Sequence, residues 1–200
     1  MNTIDHLNHA YGTHVVFQDA RIELPDVGTV ALRGPNGCGK TTLLKLLGGV
    51  IRAQSPAVTT WRNSHHATYL DTEYLTLEHL TVNETLNVLA PLMAPDGDGG
   101  HPLVDGSMAG TRVGDLSLGQ RQRLVLTIAL GLKGPQVLLL DEPLNGLDAR
   151  ACALARRLIS ANGRDRLVLL ATHEEDRWTD YDLVVESVNV SHLCRAEVTA

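Results

Sequence analysis

The residues best suited to chemistry lie in a glycine-rich segment that begins at Gly34. Gly34 is followed after four residues by Gly39, Lys40 and Thr41, which is the spacing of a phosphate-binding loop. An apolar strand pattern precedes this segment and a helical pattern follows it, as the motif requires. The glycines would let backbone N–H groups surround phosphate oxygens, and the helix N-terminus would add its positive end. We expect Lys40 to contact the outer phosphates and the Thr41 hydroxyl to suit a magnesium ion bound to them.

A second group of candidate residues follows the aliphatic run Val137 to Leu140. Asp141 and Glu142 come at the C-terminal end of this predicted strand, where α/β sheets bind their ligands. We expect Asp141 to hold Mg²⁺ through water and Glu142 to act as general base toward an attacking water. Taken alone, the pair could also be a solvated acidic turn. The phosphate-binding loop upstream favours the catalytic interpretation.

Composition and charge exclude several classes of protein. The 200 residues are 44% hydrophobic and 20% charged, as in globular proteins, and only 4% are aromatic, so the core must be aliphatic. The longest nearly uninterrupted apolar stretch, Leu124 to Leu132, is far shorter than the roughly 20 residues of a membrane helix, and no secretion leader opens the chain. A net charge of −6 argues against a broad nucleic-acid surface. Three scattered cysteines fit a reducing cytoplasm.

Strand and helix patterns alternate along the chain, which indicates an α/β fold. Strands are predicted at 3–9, 14–24, 29–33, 67–70, 136–140 and 166–171, with one or two more at 183–193. Helices are predicted around 43–47 and over 81–93, 118–132 and 148–160. Within the second helix we expect Leu86, Val88 and Leu89 to face inward. Residues 52–66 are polar and are predicted to be irregular, and residues 94–111, with five glycines and two prolines, to be a mobile surface loop.

The segment Leu116 to Arg123, LSLGQRQR, resembles the LSGGQ signature of ATP-binding cassette (ABC) ATPases. Leu118 stands at the third position, where the family usually has glycine. Ser117 can cap a helix, and the amide groups near Gly119 can face an anion. By itself the pattern also fits a capped helix that binds nothing.

The remaining landmarks of the family follow in register. Residues 145–148, Asn-Gly-Leu-Asp, resemble its D-loop, and Thr172-His173 resembles the switch histidine that contacts the γ-phosphate. Tyr11 resembles the aromatic residue that stacks on adenine. A lone tyrosine or histidine would be unremarkable, but here both accompany three stronger motifs.

The resemblance covers nearly the whole chain and implies a P-loop NTPase of the ABC type. We therefore expect residues 1–200 to form a single ABC ATPase domain, with a mainly parallel core sheet and an N-terminal antiparallel β subdomain. A reduced helical subdomain is expected at about 74–118, containing the flexible loop 94–111.

The resemblance also implies ATP and Mg²⁺ as cofactors. It assigns catalysis to Glu142 and His173, and magnesium binding to Thr41, Asp141 and Glu73. The residues expected to contact nucleotide are Tyr11, Gly34, Pro35, Asn36, Gly37, Cys38, Gly39, Lys40, Thr41, Thr42, Ser117, Gly119, Gln120 and Asp148.

Two positions depart from the family pattern. After the strand near Tyr69 the family has a glutamine, and here Glu73 or Thr72 occupies that place; a glutamate adds charge near Mg²⁺. Cys38 stands in the phosphate-binding loop where serine or another small residue is common. Its thiol could respond to oxidation because it lies near a helix N-terminus, or cysteine could simply be small enough to fit.

These features favour the ATP-binding subunit of an ABC transporter. The resemblance implies a head-to-tail dimer around two Mg-ATP, formed with a second copy or a paralogous ATPase subunit. This dimer is expected to drive a separate transmembrane permease that works as an exporter. The protein is then expected in the cytoplasm, on the inner face of the cell membrane, with no nucleic-acid partner. The alternative is a soluble ABC ATPase acting on nucleic acid or the ribosome; a small-molecule kinase would leave the signature segment and His173 unexplained.

Overall fold

The computed structural model describes residues 2–71, 77–94, 101–173, 178–186 and 189–195. The chain divides into two compact units. The first comprises Met1–Tyr69, Pro135–Glu142 and Ser160–Ala200, and the second Leu70–Gly134 and Pro143–Ile159. Among the described residues, no helix has both the length and the apolar character needed to cross a bilayer.

The first unit is built on two β-sheets. A two-stranded antiparallel sheet pairs β1 (Asn2–Tyr11) with β2 (His14–Leu24). A six-stranded sheet has the order β4-β5-β6-β3-β7-β8, and its strands are β3 (Gly28–Arg33), β4 (Ala67–Leu70), β5 (Val137–Asp141), β6 (Leu167–Ala171), β7 (Tyr181–Glu186) and β8 (Asn189–Arg195). The pairs β5–β6, β6–β3 and β3–β7 are parallel, and β8 runs antiparallel to β7. The α/β fold predicted from the sequence is confirmed.

The centre of the six-stranded sheet is buried on both faces. All five residues of β6 and the first four of β5 are buried, as expected for parallel strands that are covered on both sides. Helix α1 (Lys40–Leu47) contributes Leu43, Leu44, Leu46 and Leu47 to the same core and ends at Gly48. The start of α1, directly after the phosphate-binding loop, is thereby fixed against the sheet.

The prediction that residues 52–66 are irregular is wrong. Helix α2 (Pro56–Ser64) begins with a proline at its first position and buries Val58 and Trp61. These two side chains, three residues apart, form its whole apolar face, because the other residues of the segment are polar or small. A stripe of two residues is too short to show helical periodicity in the sequence.

The described part of the second unit includes three helices, α3 (Val82–Leu89), α4 (Leu118–Gly131) and α5 (Ala149–Asn162), the last of which runs on into the first unit. Its core draws on α3, α4 and the segment between them. Helix α3 ends before the predicted residue 93, and a 3-10 turn over Ala90–Leu92 follows it. Leu86 is buried and Leu89 packs against the core, but Val88 is 61% exposed, so its predicted inward orientation is wrong. The buried Val82 and Leu86 and the partly buried Leu89 follow helical spacing, and Val88 lies off that face.

Of the predicted surface loop 94–111, residues 95–100 lie outside the described residues. Residues 101–111 are turns, but Leu103 is buried and Met108 is 0% exposed within the core of the second unit. Backbone N–H groups of α3 donate to carbonyl oxygens near the end of this segment. The second unit also extends beyond the predicted subdomain 74–118, since it includes residues up to Gly134 and from Pro143 to Ile159.

Met108→Ala is expected to lower the free energy of unfolding by about 2–5 kcal/mol, because it removes a fully buried side chain and leaves a cavity. Urea unfolding followed by circular dichroism would measure the change. Val88→Ala is the matched control, since that side chain is exposed on the same unit. Equal stability of the two variants would contradict the packing of residues 101–111.

Candidate functional site

The phosphate-binding loop joins β3 to α1 in a conformation that requires glycine. Gly34 has φ +151°, and a Cβ there would lie 2.1 Å from the carbonyl oxygen of Val185. Gly39, the N-cap of α1, has φ +109°, and a Cβ there would lie 2.8 Å from Val16 Cγ1. Side chains at either position would clash or strain the backbone, so the loop can take this path only with glycine at both.

Lys40 is held at this loop. Its side chain is largely buried, and Nζ donates to the carbonyl oxygens of Gly34 at 2.8 Å and Pro35 at 3.1 Å. The ammonium group is therefore fixed beside the backbone that the motif uses to surround phosphate. Cys38 differs from its neighbours because its side chain is 3% exposed and packs in the core of the first unit. This burial favours the interpretation of Cys38 as a small packing residue over a redox-sensitive one.

A single pocket of about 300 Å³ brings several predicted residues together in the first unit. It is lined by loop and α1 residues from Asn36 to Thr42, and by Tyr11, Glu142 and His173. Gly34, Pro35, Cys38 and Asp141 are not among the residues that line it. The pocket therefore joins the end of the β1–β2 hairpin, the phosphate-binding loop and the C-terminal ends of β5 and β6.

Glu142 and His173 form a close pair at the C-terminal ends of β5 and β6. Nε2 of His173 lies 3.1 Å from Oε1 of Glu142, and Glu142 N donates to the carbonyl oxygen of Ala171 at 3.1 Å. Glu142 has φ +44°, a left-handed conformation that is uncommon for a residue with a side chain. Such outliers persist where the surrounding structure imposes them, often at functional sites.

The surroundings of Glu142 alter its acidity. Burial raises the pKa of Glu142 above the ordinary glutamate value and is the largest cause of the shift. His173 and Lys40 lower this pKa, whereas Asp141 adds to the increase. A carboxylate with a raised pKa is a better proton acceptor than an exposed glutamate.

Tyr11 stands at the rim of the pocket. Its side chain is 51% exposed, and its ring makes an edge-to-face contact with His9 at 4.8 Å between ring centroids. His9 is buried, and burial lowers the pKa of its imidazole. His14 and Val16, which the sequence reasoning did not single out, also line the pocket. The hairpin register places His14 opposite Tyr11.

The donors near the loop fit a magnesium ion bound together with phosphates. Thr41 is exposed at the start of α1, and Asp141 ends β5. The described part of the chain holds no group of three or more His, Cys, Asp or Glu side chains arranged for a metal. Mg²⁺ commonly takes only one or two protein oxygens and completes its shell with water and substrate phosphates, so a hydroxyl and a carboxylate suffice. Glu73 and its alternative Thr72 lie outside the described residues.

The signature segment lies in the second unit, at the N-terminus of α4. Ser117 Oγ accepts from Gln120 N at 3.3 Å, and Gln120 Oε1 accepts from Ser117 N at 3.0 Å, which is a capping box. A Cβ on Gly119 would lie 2.4 Å from the carbonyl oxygen of Gly146, so the signature and the D-loop segment are in backbone contact. Leu118, the departure from the family motif, is exposed and packs over Gly146.

Asp148 is fixed within the same unit by both carboxylate oxygens. Oδ1 accepts from Ala151 N at 2.8 Å at the start of α5, and Oδ2 pairs with Arg123 of α4. The Ala151 hydrogen bond is the largest cause of the lowered pKa of Asp148. Arg123 also pairs with Asp105 at 3.4 Å. Sequence reasoning placed Arg123 in the signature segment but did not identify this double contact.

The structure thus places the predicted residues in two groups. The pocket of the first unit gathers Tyr11, Glu142 and His173 with the phosphate-binding loop, and Asp141 precedes Glu142 at the end of β5. Ser117, Gly119, Gln120 and Asp148 belong to the second unit.

A family model described as ABC transporter matches residues 17–145, more than half of the chain. The chain belongs to the ABC transporter family. A lantibiotic transport ATP-binding protein, SrtF of Streptococcus pyogenes, is 27% identical to this ABC protein over 86% of this chain and 80% of its own length. The Nod factor export ATP-binding protein I of Rhizobium johnstonii is 32% identical over 90% of this chain and 65% of its own.

The sulfate/thiosulfate import ATP-binding protein CysA 1 of Chromobacterium violaceum is 30% identical to the ABC protein over 86% of this chain. The match covers 54% of that relative, so the chain spans about half the length of this curated relative. Import and export proteins therefore both occur among the relatives.

Solved structures confirm the predicted ABC fold. An ATP-binding subunit of an ABC transporter superposes with a TM-score of 0.78 and 21% identity, covering 96% of this chain and 89% of the other. The dimeric, ADP- and Pi-bound post-hydrolysis state of the ATP-binding cassette MJ0796 gives a TM-score of 0.76 at 17% identity, covering 98% of each chain. At these identities the likeness concerns the fold.

Proposed function

We propose that this ABC protein binds Mg-ATP in the pocket of the first unit and hydrolyses it. The observation that carries the proposal is the convergence of the phosphate-binding loop, Glu142 and His173 on one pocket. Lys40 and the loop N–H groups bind the β- and γ-phosphates, and the exposed ring of Tyr11 offers a face to the adenine.

Thr41 and Asp141 would hold the magnesium ion, which would supply positive charge to stabilise the phosphates during transfer. Glu142 takes the proton of the attacking water, for which its raised pKa suits it. His173 keeps the carboxylate oriented from 3.1 Å and is close enough to the same pocket to contact the γ-phosphate.

The proposal includes a head-to-tail dimer with a second copy or a paralogous subunit. Ser117, Gly119 and Gln120 form a rigid, capped helix start in the second unit, with the amide dipoles of α4 directed toward an anion. In the dimer this helix start contacts the nucleotide held by the other subunit, while Asp148 fixes the neighbouring D-loop. The dimeric cassette among the similar structures supports this arrangement.

We further propose that dimer closure drives a separate transmembrane permease at the inner face of the cell membrane. The names of the relatives, which are ATP-binding proteins for transport, support this role. Export is the favoured direction, as in the Nod factor relative, although the sulfate relative is an importer.

Purification of the tagged protein from detergent-solubilised, nuclease-treated cells of its own host tests the transport role. We expect a protein with several membrane-spanning helices to co-purify in stoichiometric amount, as judged by mass spectrometry. Recovery of the chain with ribosomal proteins or nucleic acid instead, lost on nuclease treatment, would support the soluble ABC ATPase and overturn the transporter proposal.

A further inference from the structure

Tyr69 makes a polar contact with a residue of the candidate site that its position in the sequence did not indicate. It is the third residue of β4, which neighbours β5 in the six-stranded sheet, and its side chain is only 9% exposed. The phenolic hydroxyl donates to Oδ2 of Asp141 at 3.3 Å. A buried aromatic ring therefore ends in a hydrogen bond to the carboxylate proposed to hold Mg²⁺.

The base of the Tyr69 side chain packs closely against the end of α1, and the residue belongs to the buried core of the first unit. A Cβ on Gly48 would lie 2.5 Å from Tyr69 Cβ and 3.3 Å from Leu139 Cδ1. No larger residue fits at position 48, so β4 approaches directly the helix that begins at Lys40. Tyr69 therefore lies between the end of α1 and β5, with its hydroxyl within hydrogen-bonding distance of Asp141.

We propose that Tyr69 is a positioning residue that orients the Asp141 carboxylate for Mg-ATP. Hydrogen bonds to a metal-binding carboxylate fix its rotation and raise metal affinity. A neutral phenol does this without placing a second cation beside Mg²⁺. The inference rests on the proposed nucleotide site and assigns Tyr69 a role in metal binding within it.

Tyr69→Phe tests the inference because it keeps the ring and removes only the hydroxyl. Mn²⁺ binding in the presence of a non-hydrolysable ATP analogue, followed by electron paramagnetic resonance, is expected to weaken about tenfold. Affinity for a fluorescent ATP analogue in EDTA should stay within about twofold of wild type, since phosphate and adenine contacts are untouched. Tyr181→Phe is the matched control; it removes a tyrosine hydroxyl at the start of β7 and should leave both measurements unchanged.

The outcomes separate this inference from the proposed function. Equal Mn²⁺ affinity in Tyr69→Phe and Tyr181→Phe would overturn the role of Tyr69. A Tyr69→Phe variant that also binds the ATP analogue more weakly in EDTA and melts at a lower temperature would overturn it as well, because those changes indicate a purely structural role. A selective loss of Mn²⁺ affinity supports it. If the wild-type protein itself binds neither Mn²⁺ nor the ATP analogue, the proposed function fails instead.

Discussion

Lys40→Ala is expected to weaken ATP binding at least about 100-fold, which places it beyond detection at ordinary ATP concentrations. Hydrogen bonds from a charged group contribute about 1.5–3 kcal/mol each, and the ammonium group would contact more than one phosphate oxygen. The side chain also bonds two carbonyl oxygens of the phosphate-binding loop, so its loss frees the loop as well. Titration with a fluorescent ATP analogue would measure the affinity.

Lys45→Ala provides the matched control for that experiment. Lys45 belongs to the last turn of the same helix, and it is one of only three lysines in the chain. Its removal should leave ATP affinity unchanged. Wild-type affinity in Lys40→Ala, with an unaltered circular dichroism spectrum, would contradict the phosphate-binding role of the loop.

Glu142→Gln is expected to retain ATP binding and to lower the rate of hydrolysis about 10²- to 10⁴-fold, the usual contribution of a general base. Glutamine keeps the shape of glutamate but cannot take a proton from water. With ATP bound and not consumed, the variant should accumulate as a dimer, measurable by light scattering alongside single-turnover hydrolysis. Glu23→Gln, which removes a carboxylate of β2 outside the pocket, should behave as wild type.

The pH dependence of the hydrolysis rate should also reveal Glu142 as the general base. The base must be ionised, and burial raises its pKa, so the wild-type rate should fall with decreasing pH at a higher pH than an ordinary glutamate would give. This acid limb should be absent from the residual activity of Glu142→Gln. If Glu142→Gln hydrolyses ATP at the wild-type rate, the proposed mechanism is contradicted. If it stays monomeric in ATP, the proposed dimer is contradicted.

The phosphate-binding loop and the buried strands could be predicted because their signals are local. The spacing from Gly34 to Thr41 and the run Val137–Leu140 depend on neighbouring residues alone. The burial of Met108 depends on contacts with distant helices, and the segment around it has the composition of a loop. For that reason the sequence indicated a surface loop where the structure has a packed one.

The finer geometry of the site was equally beyond local patterns. The positive φ of Glu142 and the close approach of Tyr69 to Gly48 arise because strands and a helix that are distant in the sequence meet in the folded protein. The sequence could identify Asp141 and Glu142 as neighbouring carboxylates. It could not indicate which carboxylate would pair with a histidine and which with a tyrosine.

Arg123 serves two carboxylates, Asp148 beside the D-loop and Asp105 in the segment 101–111. One guanidinium therefore balances two negative charges that stand 43 residues apart in the chain, as counted from their numbers. Consider a chimera in which the segment 101–111 comes from a relative. If that segment has no acidic residue at position 105, Arg123 pairs with Asp148 alone. If it has an additional acidic residue, that residue competes with Asp148 for Arg123. Exchange of the segment 101–111 should thus change how Asp148 of the D-loop is held, although no residue of the D-loop is altered.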